Sequence, residues 1–217
     1  MPSSDLYDTI YRRRDVRAEF TSAPVDAVTL HTILSAAHAA PSVGHSQPWD
    51  FVVVRDPGLR ARFRDHVESE RALFDRSLDA ERRATFAKIK VEGILESTLG
   101  VVVTYDAQRG GTAVLGRHAI ADTGLYSTCL AIQNLWLAAT AEGLGVGWVS
   151  FYREPFLAEL LDIPDGVRPV AWLCLGPVLF FQETPDLVRH GWRRGRPVEQ
   201  AVHYDGYGRT EPLEPAG

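Results

Sequence analysis

Cysteine is almost absent from this sequence. The two in 217 residues, Cys129 and Cys174, each sit in an apolar stretch with no second cysteine or histidine at metal-ligand spacing. That pattern excludes a disulfide scaffold or a zinc ribbon and reads as two buried, reduced thiols. Long hydrophobic runs are lacking too, since no segment reaches the ~18 apolar residues needed to span a bilayer. The opening segment MPSSDLYDTIYRRRDVR carries no apolar signal core, so the expected location is the cytoplasm, with no membrane contact. A net positive charge is missing: the chain carries −5, which argues against a nucleic-acid or membrane-surface binder and for a small-molecule partner. Lysine is scarce beside arginine, 2 against 21, a ratio that base composition explains as readily as anion recognition does. Absent as well are the G-x-x-x-x-G-K-S/T, H-E-x-x-H and G-x-S-x-G signatures and a G-x-G-x-x-G following a strand, so nucleotide triphosphatase, zincin and α/β-hydrolase readings fall away.

What is present is an ordinary globular composition, 45% apolar and 24% charged, with no repeat or linker. Residues 1–217 are therefore expected to form a single α+β domain. Asp26 to Ala40 has helical apolar spacing between Pro24 and Pro41. Phe51 to Val54, Val101 to Tyr105, Val146 to Phe151 and Pro169 to Leu175 read as strands, and a short helix is expected around Pro155 to Leu161. His118 to Glu142 reads as a helix apolar nearly all round, buried on most sides, part of it under a second subunit. Residues 57–97 have the mixed charge and single apolar stripe of exposed helices, a candidate lid, and residues 178–217 form a proline- and glycine-punctuated extension.

Three segments carry candidate chemistry. Arg12, Arg13, Arg14 and Arg17, with Arg193, Arg194 and Arg196 in the tail, could clamp a phosphate; on one helical turn Arg13, Arg14 and Arg17 would share a face. On a helical turn Asp15 would point away from that clamp; on an extended segment this separation is lost. A solvated basic face is the plainer alternative. In APSVGHSQPW, Ser42 and Gln47 could bond a polar heterocycle, although a helix–strand connection has the same composition; His45 reads as a solvent-facing loop residue. In GLGVGWVS, glycines at period two would leave one strand face bare for a flat ring, or permit tight packing against another element. Ser150 closes this segment.

Taken together, RRRDVR, APSVGHSQPW and AIQNLWLAATAEGLGVGWVS resemble the flavin-dependent nitroreductase family over most of the chain. Asp15 within RRDVR and Ser150 within GWVS are more specifically similar to the branch of that family that makes 5,6-dimethylbenzimidazole, the lower-ligand base of cobalamin (vitamin B12). His45 and Ser46 depart from that branch, which more often has an apolar pair there.

The resemblance implies a homodimer with a central mixed or antiparallel sheet surrounded by helices. Reduced FMN is consumed as substrate with O2 as co-substrate, giving 5,6-dimethylbenzimidazole and erythrose 4-phosphate, and a separate flavin reductase supplies the reduced FMN. It further implies that Arg13, Arg14, Arg17, Arg194 and Arg196 hold the phosphate and the N1 side of the ring. Ser42 and Gln47 reach the flavin from the neighbouring subunit, Trp148 and Val149 lie beside the ring, and Asp15 and Ser150 serve as acid–base groups. An NAD(P)H-dependent nitro- or ene-reductase that retains FMN is the alternative, and a non-catalytic flavin store a third.

Overall fold

The computed structural model describes residues 6–210. Its centre is a four-stranded sheet of β1 (Trp49–Val54), β2 (Leu99–Asp106), β3 (Leu144–Val149) and β4 (Val167–Pro177), in the order β1-β2-β4-β3. Every strand pair is antiparallel. The inner strands are apolar at almost every position because both faces of the sheet are covered.

On one face α2 (Ala27–His38) and α5 (Thr123–Ala141) set Leu30, Ile33, Ile132 and Leu135 against Val101, Val103, Leu173 and Leu175. On the other, α3 (Pro57–Ser77), α4 (Ala80–Phe86) and α6 (Glu154–Leu160) deliver Phe63, Val67, Phe86, Leu157 and Leu160 to Val102, Trp172 and Cys174. Phe63 stacks on Trp172 with ring centroids 4.0 Å apart. The result is an α+β fold with helices on both sides of an antiparallel sheet.

Several expectations need correction. α1 (Leu6–Arg12) ends at the first arginine of the cluster, so residues 13–17 are not helical. The helix expected from His118 begins at Thr123, because Gly116 with φ +92° turns the chain and the residues after it remain in turns. That helix is buried on most sides, and Tyr126, Cys129, Leu130 and Gln133, at i, i+3, i+4 and i+7, form an exposed stripe along it. Cys129 is therefore exposed, whereas Cys174 is fully buried and its thiol is pushed up to about 12 by that burial. The charged arm is helical only as far as Phe86, and residues 88–97 run irregularly. In the tail, α7 (Asp186–Arg189) is a single turn. Among the described residues no helix is long and apolar enough to cross a membrane.

Candidate functional site

β3 is an edge strand with unpaired backbone groups, and the residues after α1 cover them. Asp15 forms a parallel bridge with Val146, and the Val16 amide donates to the Val146 carbonyl at 2.9 Å. One register step on, the Trp148 amide donates to Asp15 Oδ1 at 2.9 Å and Arg17 Nη2 donates to the Trp148 carbonyl at 2.6 Å. Residues 15–17 are thus extended, and the extended chain brings Arg17 back onto Asp15 in a two-point ion pair of 2.7 and 2.6 Å. The geometric separation expected of a helical turn is absent.

This pairing also explains the glycine spacing. A methyl group on Gly147 would overlap the Val16 carbonyl oxygen and the Arg17 guanidinium, and one on Gly145 would meet Val178 and Val16. The bare strand face is filled by protein backbone and side chains, so it is not a platform for a flat ring.

Against this edge lies a cleft of about 370 Å³, within the usual size for small-molecule sites. Arg13, Arg14, Asp15, Arg17, Trp148 and Ser150 all line it. Opposite them stand Ile89, Lys90 and Val91 from the irregular end of the arm, and Pro185, Asp186 and Leu187 from the tail. Sequence reasoning did not single out these last six; both lysines of an arginine-rich chain, Lys88 and Lys90, falling on one segment was the available signal.

The cations of the cleft differ in what they face. Arg17 is paired with Asp15, and Lys90 with Glu96. Arg13 lies 4.9 Å over the Trp136 ring. Arg14 donates only to carbonyls, those of Tyr11 at 2.6 Å, Arg13 at 2.7 Å and Glu183, and its Nε is buried without a partner. Neither Arg13 nor Arg14 has a carboxylate partner among the described residues. Two guanidinium groups without a direct ion pair, Arg13 acting on Asp15 only at longer range, stand beside a half-apolar cleft and fit a ligand with a phosphate at one end and a planar ring at the other.

About half of the Asp15 side chain is open to the cleft. Closely packed walls nevertheless limit its contact with bulk water, and this desolvation raises its pKa above the ordinary 3.8 despite Arg17 and the Trp148 amide. Ser150 follows β3 directly and is exposed in the same cleft.

The other sequence candidates lie elsewhere. The Val149 side chain is fully buried in the core. Arg194 and Arg196 are exposed on the tail and do not line the cleft. Ser42 and Gln47 belong to the loop leading into β1, the opposite edge of the sheet from β3. Ser42 Oγ accepts the Gln47 amide at 3.0 Å.

Residues 10–177 match the model of the nitroreductase family. A protein of Rhodospirillum rubrum named 5,6-dimethylbenzimidazole synthase is 39% identical over 194 residues, spanning 89% of this chain and 92% of its own. Among solved structures, an iodotyrosine deiodinase bound to FMN and 3-iodo-L-tyrosine superposes with a TM-score of 0.73 at 21% identity, over 94% of this chain and all of that one. A BluB-like flavoprotein from Clostridium difficile superposes with a TM-score of 0.71 at 20% identity, over the same shares. These two likenesses show the fold.

Proposed function

The chain belongs to the nitroreductase family, and on that premise we propose that it is a 5,6-dimethylbenzimidazole synthase, consuming reduced FMN and O2 to release 5,6-dimethylbenzimidazole and erythrose 4-phosphate. The observation that carries this reading is that Asp15 and Ser150, far apart in sequence, line one cleft beside Arg13 and Arg14, neither of which is held in a direct ion pair.

When bound, reduced FMN supplies an oxygen-reactive ring and a ribityl phosphate chain. Arg13 and Arg14 hold the phosphate, and Trp148 flanks the ring, with the Val149 backbone next to it. Arg17 fixes the Asp15 carboxyl by two hydrogen bonds and keeps a positive charge beside it. Asp15, with its raised pKa, retains a proton to higher pH than an exposed aspartate and so moves protons at the ribityl end; Ser150 is the second proton-bearing group. Residues 89–91 and 185–187 wall the cleft and limit water.

The protein works as a homodimer in this reading, because the loop of Ser42 and Gln47 lies at the far sheet edge and reaches the flavin from a second copy. Arg194 and Arg196 enter only if that copy also brings its tail. The electrons come from a separate flavin reductase in the cytoplasm, and residues 1–217 act as one domain.

The test is to mix the protein with reduced FMN without oxygen, admit air, and follow products by mass spectrometry. The expected result is 5,6-dimethylbenzimidazole in proportion to bound flavin. Intact FMN with stoichiometric peroxide overturns the reading, and a yellow protein bleached by NAD(P)H assigns the FMN-retaining reductase instead. Asp15→Asn should hold reduced FMN but lower product formation on the order of 10²–10⁴-fold.

A further inference from the structure

The loop that carries Ser42 and Gln47 is built around a histidine that the reading above does not use. His38 closes α2, and its ring meets the Trp49 indole edge-on, centroids 6.1 Å apart and planes at 89°. Trp49 Nε1 donates to His38 Nδ1 at 3.1 Å. On the other side of the ring, the end of the Gln47 side chain lies 3.2 Å from His38 Nε2.

An indole N–H can only donate, and Trp49 is 2% exposed, so its N–H needs this acceptor. Nδ1 must therefore be free of a proton. In the neutral ring this places the single proton on Nε2. An amide NH2 turned toward Nε2–H would set two donors head to head at 3.2 Å. The Gln47 carbonyl oxygen must take that position instead, accepting from Nε2. This orientation gives up a 3.3 Å hydrogen bond from the Gln47 amide nitrogen to the His38 carbonyl oxygen, at the long end of the range, in exchange for the one from Nε2.

The backbone supports one fixed placement. Gln47 and His45 are non-glycine residues at φ +43° and +51°, in the left-handed region. The Ser42 hydroxyl holds the Gln47 amide at 3.0 Å, and Ser127 Oγ holds the Val43 amide at 3.1 Å. A conformation this costly persists only where its surroundings determine it.

We propose that His38, locked in its Nε2–H form by Trp49, is a positioning residue that turns the Gln47 NH2 outward, so that Gln47 meets its ligand as a hydrogen-bond donor to a carbonyl or ring nitrogen. Ser42 then acts through the Gln47 backbone. The inference rests on the reading that Gln47 contacts the flavin.

Two measurements test it. In flavin-free protein, nitrogen NMR of labelled histidine should show His38 protonated at Nε2 and unprotonated at Nδ1 near neutral pH; an Nδ1–H ring or an imidazolium overturns the assignment. With oxidised FMN as probe, fluorescence titration should show that Trp49→Phe weakens binding about threefold to tenfold, the scale of one hydrogen bond. In a Gln47→Ala background the same change should cost nothing further. Additive losses overturn the relay. His38→Asn, at an exposed site, makes the same comparison if Trp49→Phe does not fold. A parent protein that binds no FMN removes the flavin reading and this use of Gln47 together, while the tautomer result still decides how His38 is held.

Discussion

Asp15 keeps its proton more readily in the folded chain than in the unfolded one, and this has a defined sign for stability. A carboxyl whose folded pKa is raised stabilises the fold fully below its unfolded value of 3.8, and that contribution is lost as pH rises through the folded pKa. Asp15→Asn removes this dependence and adds a pH-independent penalty for leaving Arg17, 11% exposed, without its partner. Thermal unfolding across a pH series should therefore show the variant gaining on the parent as pH rises above 3.8. If the parent gains on the variant, Asp15 is an ordinary ion-pair acid with a lowered pKa. Gly147 makes a second test at this scale. A methyl group there would push residues 16 and 17 off β3, so Gly147→Ala should cost about 1–3 kcal/mol in denaturant unfolding and weaken FMN binding. Unchanged values for both would detach residues 15–17 from the site.

The elements that frame the cleft depend on contacts from far along the chain. Arg60 on α3 donates to the carbonyls of Ile94, Ser97 and Thr98, with 3.1 Å to the last, and so fixes the segment whose residues 89–91 form one wall. Arg60→Met takes this donor from the Ser97 and Thr98 carbonyls, while Ile94 keeps the Ser97 hydroxyl, and should lower stability by about 2–4 kcal/mol in urea unfolding, with earlier proteolytic cutting between Lys88 and Ser97. A loss under ~0.5 kcal/mol would mean that water replaces the guanidinium. The same long-range character separates what was legible in the sequence from what was not. The strand runs around Val52, Val102 and Leu173 were readable because burial on both faces leaves continuous apolar stretches. The family pattern singled out Asp15 and Ser150, and the fold places both in one cleft. The extended course of Arg13 to Arg17 was not readable, because it is set by β3 more than a hundred residues away. Nor was the irregular course of residues 88–97, where Gly93 rests against the Arg17 carbonyl with no room for a side chain. The cleft walls at Lys90 and Leu187 left no local period to find.

At the scale of the molecule, the sheet has two edges and the proposed site needs both. The β3 edge gathers Asp15, Trp148 and Ser150, while the loop into β1 carries Ser42 and Gln47. One chain holds these groups at opposite edges, so the proposed function calls for a second copy to bring them together. Under that proposal the exposed stripe on α5 is where the copy binds: Tyr126 and Leu130 are 55% and 47% exposed on a helix whose other faces are in the core, and Tyr11 on α1 is 74% exposed. Apolar groups left open in this way are stabilised by burial against a partner. Leu130→Glu places a charge in the stripe without touching the core or the cleft. Sedimentation should give a dimer for the parent and a monomer for the variant, with the helical circular dichroism of the two alike. FMN affinity should fall with the dimer, and parent affinity should itself weaken on dilution as subunits separate. A folded monomer that binds FMN as tightly as the parent would place the whole site in one chain and remove Ser42 and Gln47 from it.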